Sequence, residues 1–209
     1  MINQAWGQFS RGNIPKAKQL VDDYINEQAT TDYNALNLLG YIYLEDGKID
    51  KAESTYQQWL QLSRKNHDIE QEHIALHQLA MVYRMREDYG QALELIQQEA
   101  RIIEQHFPNN LLKQSVNNYE QGYLRMKLQQ LNEAVSFMAQ SLTQAEQTDD
   151  LIAQACAQRG MGEICVAQHK PSLARKYFKR AIQLFEQGGD TIGAQEVQLL
   201  MSQLLTDKT

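Results

Sequence analysis

Cysteine, proline and glycine are scarce in this chain, at two, three and eleven of 209 residues. So few chain breakers favour long helices, and 28 glutamines fill much of the remainder. The two cysteines cannot staple a small fold. Cys156 and Cys165 stand nine residues apart, and on one helix their Cα atoms would be about 13 Å apart, beyond disulfide reach. Their neighbours Ala155, Ala157, Ile164 and Val166 are small or apolar. Buried, inert thiols and a reducing, cytoplasmic setting are therefore expected. No apolar run approaches the roughly 20 residues of a membrane helix, and the mean hydropathy is −0.56. The opening segment, MINQAWGQFS, has neither a basic start nor an apolar stretch, so no secretory signal is expected. Basic charge is short as well. Twenty Lys and Arg face 26 Asp and Glu, leaving a net charge of −6 and a pI near 5.4. That balance opposes wholesale nucleic-acid binding. A hydrophobic share of 43% supports a core and excludes disorder as the dominant state.

Recognisable catalytic patterns are also missing. No serine stands in a nucleophile elbow, and no glycine-rich run forms a phosphate loop. Gly160-Met161-Gly162 lies inside an expected helix, where close packing explains it better. His73 and His77 are four apart, a spacing that can offer two imidazoles to a metal. Glu70 and Glu72 lie nearby, but Ile74 and Ala75 occupy the places where a metalloprotease pattern needs its glutamate. The pair is expected to be surface or groove residues without metal. His67, His106 and His169 read as loop or helix-end residues. Arg84, Arg86, Arg125 and Lys127 come nearest to a basic cluster, and most of them read as solvated helix ends. No separate DNA-binding helix-turn-helix is expected ahead of the first repeat. The expectation is a non-enzyme without cofactor, metal, nucleic acid or membrane.

What the chain does contain is repetition. Leu39-Gly40, Tyr43, Gly47, Ile49, Ala52, Tyr56 and Trp59 follow in an order that returns as Leu79-Ala80, Tyr83, Tyr89, Ala92 and Ile96. It returns again as Gly122, Arg125, Leu131, Ala134 and Met138, then as Gly162, Cys165, Pro171, Ala174, Phe178 and Ala181. A shortened copy runs through Ala5, Gly12, Ile14, Ala17 and Val21. Ala17, Ala52, Ala92, Ala134 and Ala174 mark a nearly constant period, the first interval being the shortest. Small residues at Gly40, Ala80, Gly122 and Gly162 would let one helix approach the next. Tyr43, Tyr83, Tyr56 and Phe178 would fill the space between. No single pair can bury its apolar face, so the copies must stack.

This order resembles the tetratricopeptide repeat, a unit of roughly 34 residues reading W-x2-L-G-x2-Y and then A-x3-F. The likeness spans about residues 2 to 187. The proline that usually closes each unit is absent, and most units exceed the usual length by nearly two helical turns. The resemblance implies an all-α, right-handed superhelical solenoid of about five helix pairs with a C-terminal capping helix. A single domain over residues 1–209 is expected, with repeats near 1–29, 33–66, 69–107, 110–148 and 149–188 and a cap over 190–206. First helices are predicted near 2–11, 33–46, 69–86, 110–128 and 149–168. Second helices are predicted near 14–28, 49–65, 89–106, 131–147 and 171–187. Pro15 and Pro171 suit helix openings. Asp32, Asp68, Asn109 and Thr148 are plausible caps. Ile192, Val197, Leu200, Leu204 and Leu205 form the apolar set of the last helix.

In that family the concave wall is built from the first helix of each pair. Its inner-face positions give one column of Asn37, His77, Tyr119 and Arg159. A second holds Trp6, Tyr41, Met81, Tyr123 and Glu163, and a third includes Phe9, Leu44, Arg84, Met126 and Val166. Residue types change from copy to copy along these columns while the packing positions stay alike. The resemblance therefore implies a scaffold that binds a peptide or protein segment in the groove. Arg84, Lys127 and Arg159 lead to the expectation of an acidic ligand. Two alternatives remain. The lengthened repeats also resemble those of bacterial regulators that sense short signalling peptides, where groove asparagines like Asn37 do the binding; His77, Tyr119 and Arg159 depart from that pattern. The aromatic faces could instead bury in a homodimer.

Overall fold

The structure, a computed structural model, describes residues 1–28 and 32–206, and the side chains of residues 1–26 and 32–203. Among the described residues there are eleven helices and no strand. They are α1 (Ile2–Phe9), α2 (Ile14–Gln28), α3 (Tyr33–Glu45), α4 (Ile49–Lys65), α5 (Ile69–Met85) and α6 (Tyr89–His106), followed by α7 (Leu111–Lys127), α8 (Leu131–Ala145), α9 (Leu151–Ala167), α10 (Pro171–Gln187) and α11 (Thr191–Thr206). Each expected helix is present, with ends that move by no more than a few residues. The expected repeat end at Ala29 lies outside the described residues, as do the side chains of Leu204 and Leu205.

The chain divides into two compact units, Met1–Leu95 and Ile96–Thr209. In unit 1, α1 packs on α2, α3 on α4, and α4 on α5, while α3 also touches α1 and α2. In unit 2, α7 packs on α8, α9 on α10, and α10 on α11, with α9 also lying against α7 and α8. Most of these contacts are between helices that follow one another in the chain, as repeat stacking requires.

One turn geometry recurs. Lys48 N–H bonds the Tyr43 carbonyl at 2.7 Å while Gly47 N–H bonds Leu44. The pairs Asp88 to Tyr83, Gln130 to Arg125, and Lys170 to Cys165 repeat the first bond at 3.0, 2.8 and 2.8 Å. This is the Schellman ending, which needs a left-handed residue just past the helix. Gly12, Gly47 and Gly189 meet it as glycines, whereas His67, Glu87, Gln129 and His169 meet it with side chains.

Capping sharpens the first-helix starts. Asp32 and Asp68 accept from the backbone N–H groups of Asn34 and Gln71, as expected. The other two caps are each displaced. Asn110, not Asn109, accepts from Lys113 N–H, because it is the residue directly before α7. Asp150, not Thr148, accepts from Ala153 N–H, while the Thr148 hydroxyl donates back to the Ala145 carbonyl at the end of α8.

The small residues lie where close packing needs them. A Cβ on Gly40 would overlap the Tyr56 ring, and one on Gly162 would overlap the Phe178 ring. Gly160 faces the Met138 thioether just as closely. Tyr56 and Phe178 are themselves fully buried. In unit 2, then, two glycines hold α9 against α8 on one side and α10 on the other.

Candidate functional site

All eleven inner-face residues expected to bind a partner are half-buried, neither core nor fully solvated. They sit on first helices, whose opposite faces carry the buried alanines, leucines and glycines. In unit 1, the Trp6, Phe9 and Tyr41 rings form a triangle with centroids 5.9, 6.0 and 6.1 Å apart. Trp6 meets the other two rings edge-on, whereas Phe9 and Tyr41 are tilted by 44°, and all three distances suit aromatic packing. Trp6 Nε1 donates to Asn34 Oδ1 at 2.7 Å, and Gln78 Nε2 donates to the Tyr41 hydroxyl at 3.0 Å. Asn37 Oδ1 is closed to solvent and receives no hydrogen bond among the described residues. On α5, Arg84 NH1 lies 3.8 Å from Met81 Sδ, and His77 is half-buried on the same helix.

In unit 2, Tyr119 and Tyr123 stack one turn apart on α7, with centroids 6.4 Å apart and ring planes 21° from parallel. Both rings and Met126 lean on a core of Ala134, Met138 and Ile164. Lys127, a further turn along, places Nζ 5.4 Å from the Tyr123 ring centre. Across on α9, Arg159 is engaged twice. Its Nε donates to Glu163 Oε1 at 2.9 Å, and its NH1 donates to Glu196 Oε2 at 2.7 Å. Burial works against the Arg159 charge, but Tyr119, Glu163 and Glu196 outweigh it and hold its pKa above the usual guanidinium range.

Asn34 and Glu196 are not evident as site residues from the repeat columns. Their signal is nevertheless present in the spacing. Asn34, Ile74, Val116, Cys156 and Glu196 form one more column, a helical turn before the first, the first four in step with Ala52, Ala92, Ala134 and Ala174 and Glu196 one further period on. Its end members tie α3 to α1 and α11 to α9.

Three expectations need correction. Arg125 is buried rather than solvated: it stacks 4.0 Å from the Phe137 ring centre and donates to Gln121. It begins an internal relay in which Gln121 donates to Asn117, and Asn117 donates to the buried Glu99. Arg86 is no free helix end either; it pairs with Asp50 and Glu53 on α4. His73 is not a surface residue but is 6% exposed, with Nε2 3.6 Å from Glu70 Oε1. No group of three His, Cys, Asp or Glu side chains able to hold a metal occurs among the described residues. Cys165 is buried and Cys156 half-buried. Burial pushes the Cys156 thiol up to about 11, away from a reactive thiolate. No helix is long and apolar enough to cross a membrane among the described residues.

The pattern of the tetratricopeptide repeat matches residues 31–105 and 114–187. The chain belongs to the tetratricopeptide repeat family. Tetratricopeptide structures resemble it over most of its length. A kinesin light chain–like repeat protein of Podosopora anserina is 18% identical, covering 88% of this chain and 92% of its own, with a TM-score of 0.66. PilF of Pseudomonas aeruginosa is 14% identical, covering 97% and 89%, with a TM-score of 0.65. YrrB, described as a tetratricopeptide protein with an unusual peptide-binding site, is 18% identical, covering 94% and 89%, with a TM-score of 0.53. No curated protein matches the chain by sequence. At these identities the structures establish the fold, an all-α tetratricopeptide solenoid.

Proposed function

We propose that this protein is a non-enzymatic scaffold that holds a peptide or protein segment against the inner faces of its first helices. One observation carries the reading. The repeated packing positions are filled by like residues, whereas the half-buried inner positions hold Trp6, Asn37, Tyr41, His77, Met81, Arg84, Tyr119, Tyr123, Met126, Arg159 and Glu163. Large aromatic groups with polar edges, partly exposed on a rigid helical frame, are the chemistry of protein recognition. YrrB shares the fold and is described as having a peptide-binding site, which agrees with this use of the scaffold.

The test is retention of a partner on the immobilised chain, sequencing of the bound segment, and titration of that segment as a synthetic peptide. Tyr41→Ala or Tyr123→Ala should weaken the peptide about tenfold or more, whereas Lys179→Ala on a second helix should not. Equal loss from all three would remove the inner-face assignment.

A further inference from the structure

We infer that unit 2 carries a second binding site on its outer side, where a cleft lined by carboxamides takes an extended, uncharged peptide segment by its main chain. This goes beyond the inner-face reading and does not rest on it. The cleft holds about 400 Å³ and lies between the C-terminal half of α6 and the helix α8, over a floor made by α7. That is room enough for a small ligand. Gln114, Asn117, Asn118 and Gln121 line it from one face of α7, with Gln140 and Gln144 from α8. At 3.6 residues per turn, that face of α7 lies away from Tyr119 and Tyr123.

The six carboxamides divide into a fixed floor and an unfilled rim. On the floor, Asn117 and Gln121 are buried and spent on the protein itself. Asn117 Nδ2 donates to the Ile96 carbonyl at 2.9 Å and to Glu99 Oε2 at 3.0 Å. Gln121 Nε2 donates to Asn117 Oδ1, and Arg125 donates to Gln121 Oε1. On the rim, three half-buried side chains form a one-way chain. It runs from Asn118 Nδ2 to Gln144 Oε1 at 2.8 Å, from Gln144 Nε2 to Gln114 Oε1 at 2.9 Å, and from Gln114 Nε2 to the Pro108 carbonyl at 2.6 Å. Each of the three spends one N–H and keeps another. Asn118 Oδ1, at the head of the chain, receives no hydrogen bond among the described residues, and neither does Gln140 Oε1. The chain thus holds the rim in one orientation with donors and acceptors left over.

That chemistry selects the ligand. A carboxamide and a peptide group carry the same C=O and N–H, so the rim and a main chain can satisfy each other in both directions. A helical segment has already spent those groups within itself, so the segment must be extended. Ala100 and Ile103 give the α6 side of the cleft a carbon surface for an apolar side chain. Among the described residues that line it, Glu104 alone is charged and none is aromatic. A nucleic acid would find no cation for its phosphates, and a sugar no ring to stack on.

The probe is acetyl-Gly-Ala-Val-Ala-Gly amide, titrated to millimolar concentration into the full chain and followed by the side-chain NH2 signals of asparagine and glutamine. Those of Asn118, Gln140 and Gln144 should move. The same peptide methylated on the valine nitrogen keeps its side chains and loses one main-chain donor, and should bind about fivefold more weakly. Gln140 is exposed, and its one contact is a 3.4 Å bond to Ser136. Gln140→Ala should weaken the peptide about threefold at an unchanged melting temperature. Asn118→Leu should weaken it at least as much, and Tyr123→Ala should leave it unchanged. Absence of shifts at millimolar peptide, equal binding of the methylated peptide, or loss in Tyr123→Ala without loss in Gln140→Ala would each overturn the inference. So would maltotriose moving the same signals in place of the peptide. The inner-face reading fails or stands apart from this one, because its partner's affinity responds to Tyr41→Ala and Tyr123→Ala and not to Gln140→Ala.

Discussion

Single residues carry strain and close approach in this protein, and the two are not equally visible in the sequence. Gly12 and Gly47 announce their turns, because glycine is the usual residue for a left-handed ending. Glu87, Gln129 and His169 fill the equivalent place with φ of 60°, 63° and 58°, and nothing in a glutamate or glutamine signals that backbone. The left-handed conformation costs an L side chain on the order of 1 kcal/mol. Gln129 is exposed, so its side chain gives little in return. Gln129→Gly should therefore raise the melting temperature slightly, by the equivalent of up to about 0.5 kcal/mol after the entropy of the freer unfolded glycine is subtracted. A lower melting temperature would show that the glutamine side chain supports the turn. Gly162 is the opposite case. Phe178 is 1% exposed and cannot retreat from a side chain placed there. Gly162→Leu should cost about 1–3 kcal/mol in chemical denaturation, and an unchanged midpoint would refute the close approach of α9 and α10.

Helices are the most legible level, since a steady repeat period with matched small and large positions leaves little freedom in where they begin. What joins them is less so. Arg86 and Tyr83 converge on Glu53, binding the end of α5 to the start of α4. Tyr83 and Arg86 lie 30 and 33 positions from Glu53 in sequence, and each alone reads as an ordinary surface group. The Tyr83 hydroxyl, donating at 2.6 Å, and the Arg86 guanidinium hold the Glu53 carboxyl below its usual range. A carboxyl depressed in the folded state adds stability above its unfolded pKa near 4, and that stability is lost as pH falls through the folded value. Glu53→Gln should melt below the parent at pH 7, and the gap should close once the pH drops beneath the carboxylate range. A gap that stays constant down to pH 2 would mean the charge is not the source. Arg125 departs from its sequence reading for a related reason: its burial depends on Phe137 from α8, a contact that spacing along α7 cannot show.

At the scale of the whole chain, family membership is legible in the sequence and the chemistry of the inner face only partly so. The rows of half-buried residues follow from the repeat register alone. The balance of charge on them does not, because Glu196 reaches Arg159 from a helix that reads simply as a cap. The packing of α9 has a consequence for the inner face. Two interior glycines take about 2 kcal/mol from its intrinsic helicity relative to alanine. Such a segment gains little by coiling alone, since nucleating a helix is already unfavourable. It takes its shape from Met138 on one flank and Phe178 on the other, so α9 holds its helix only against α8 and α10. The placement of the Arg159 and Glu163 side chains therefore depends on packing made by helices that carry neither residue.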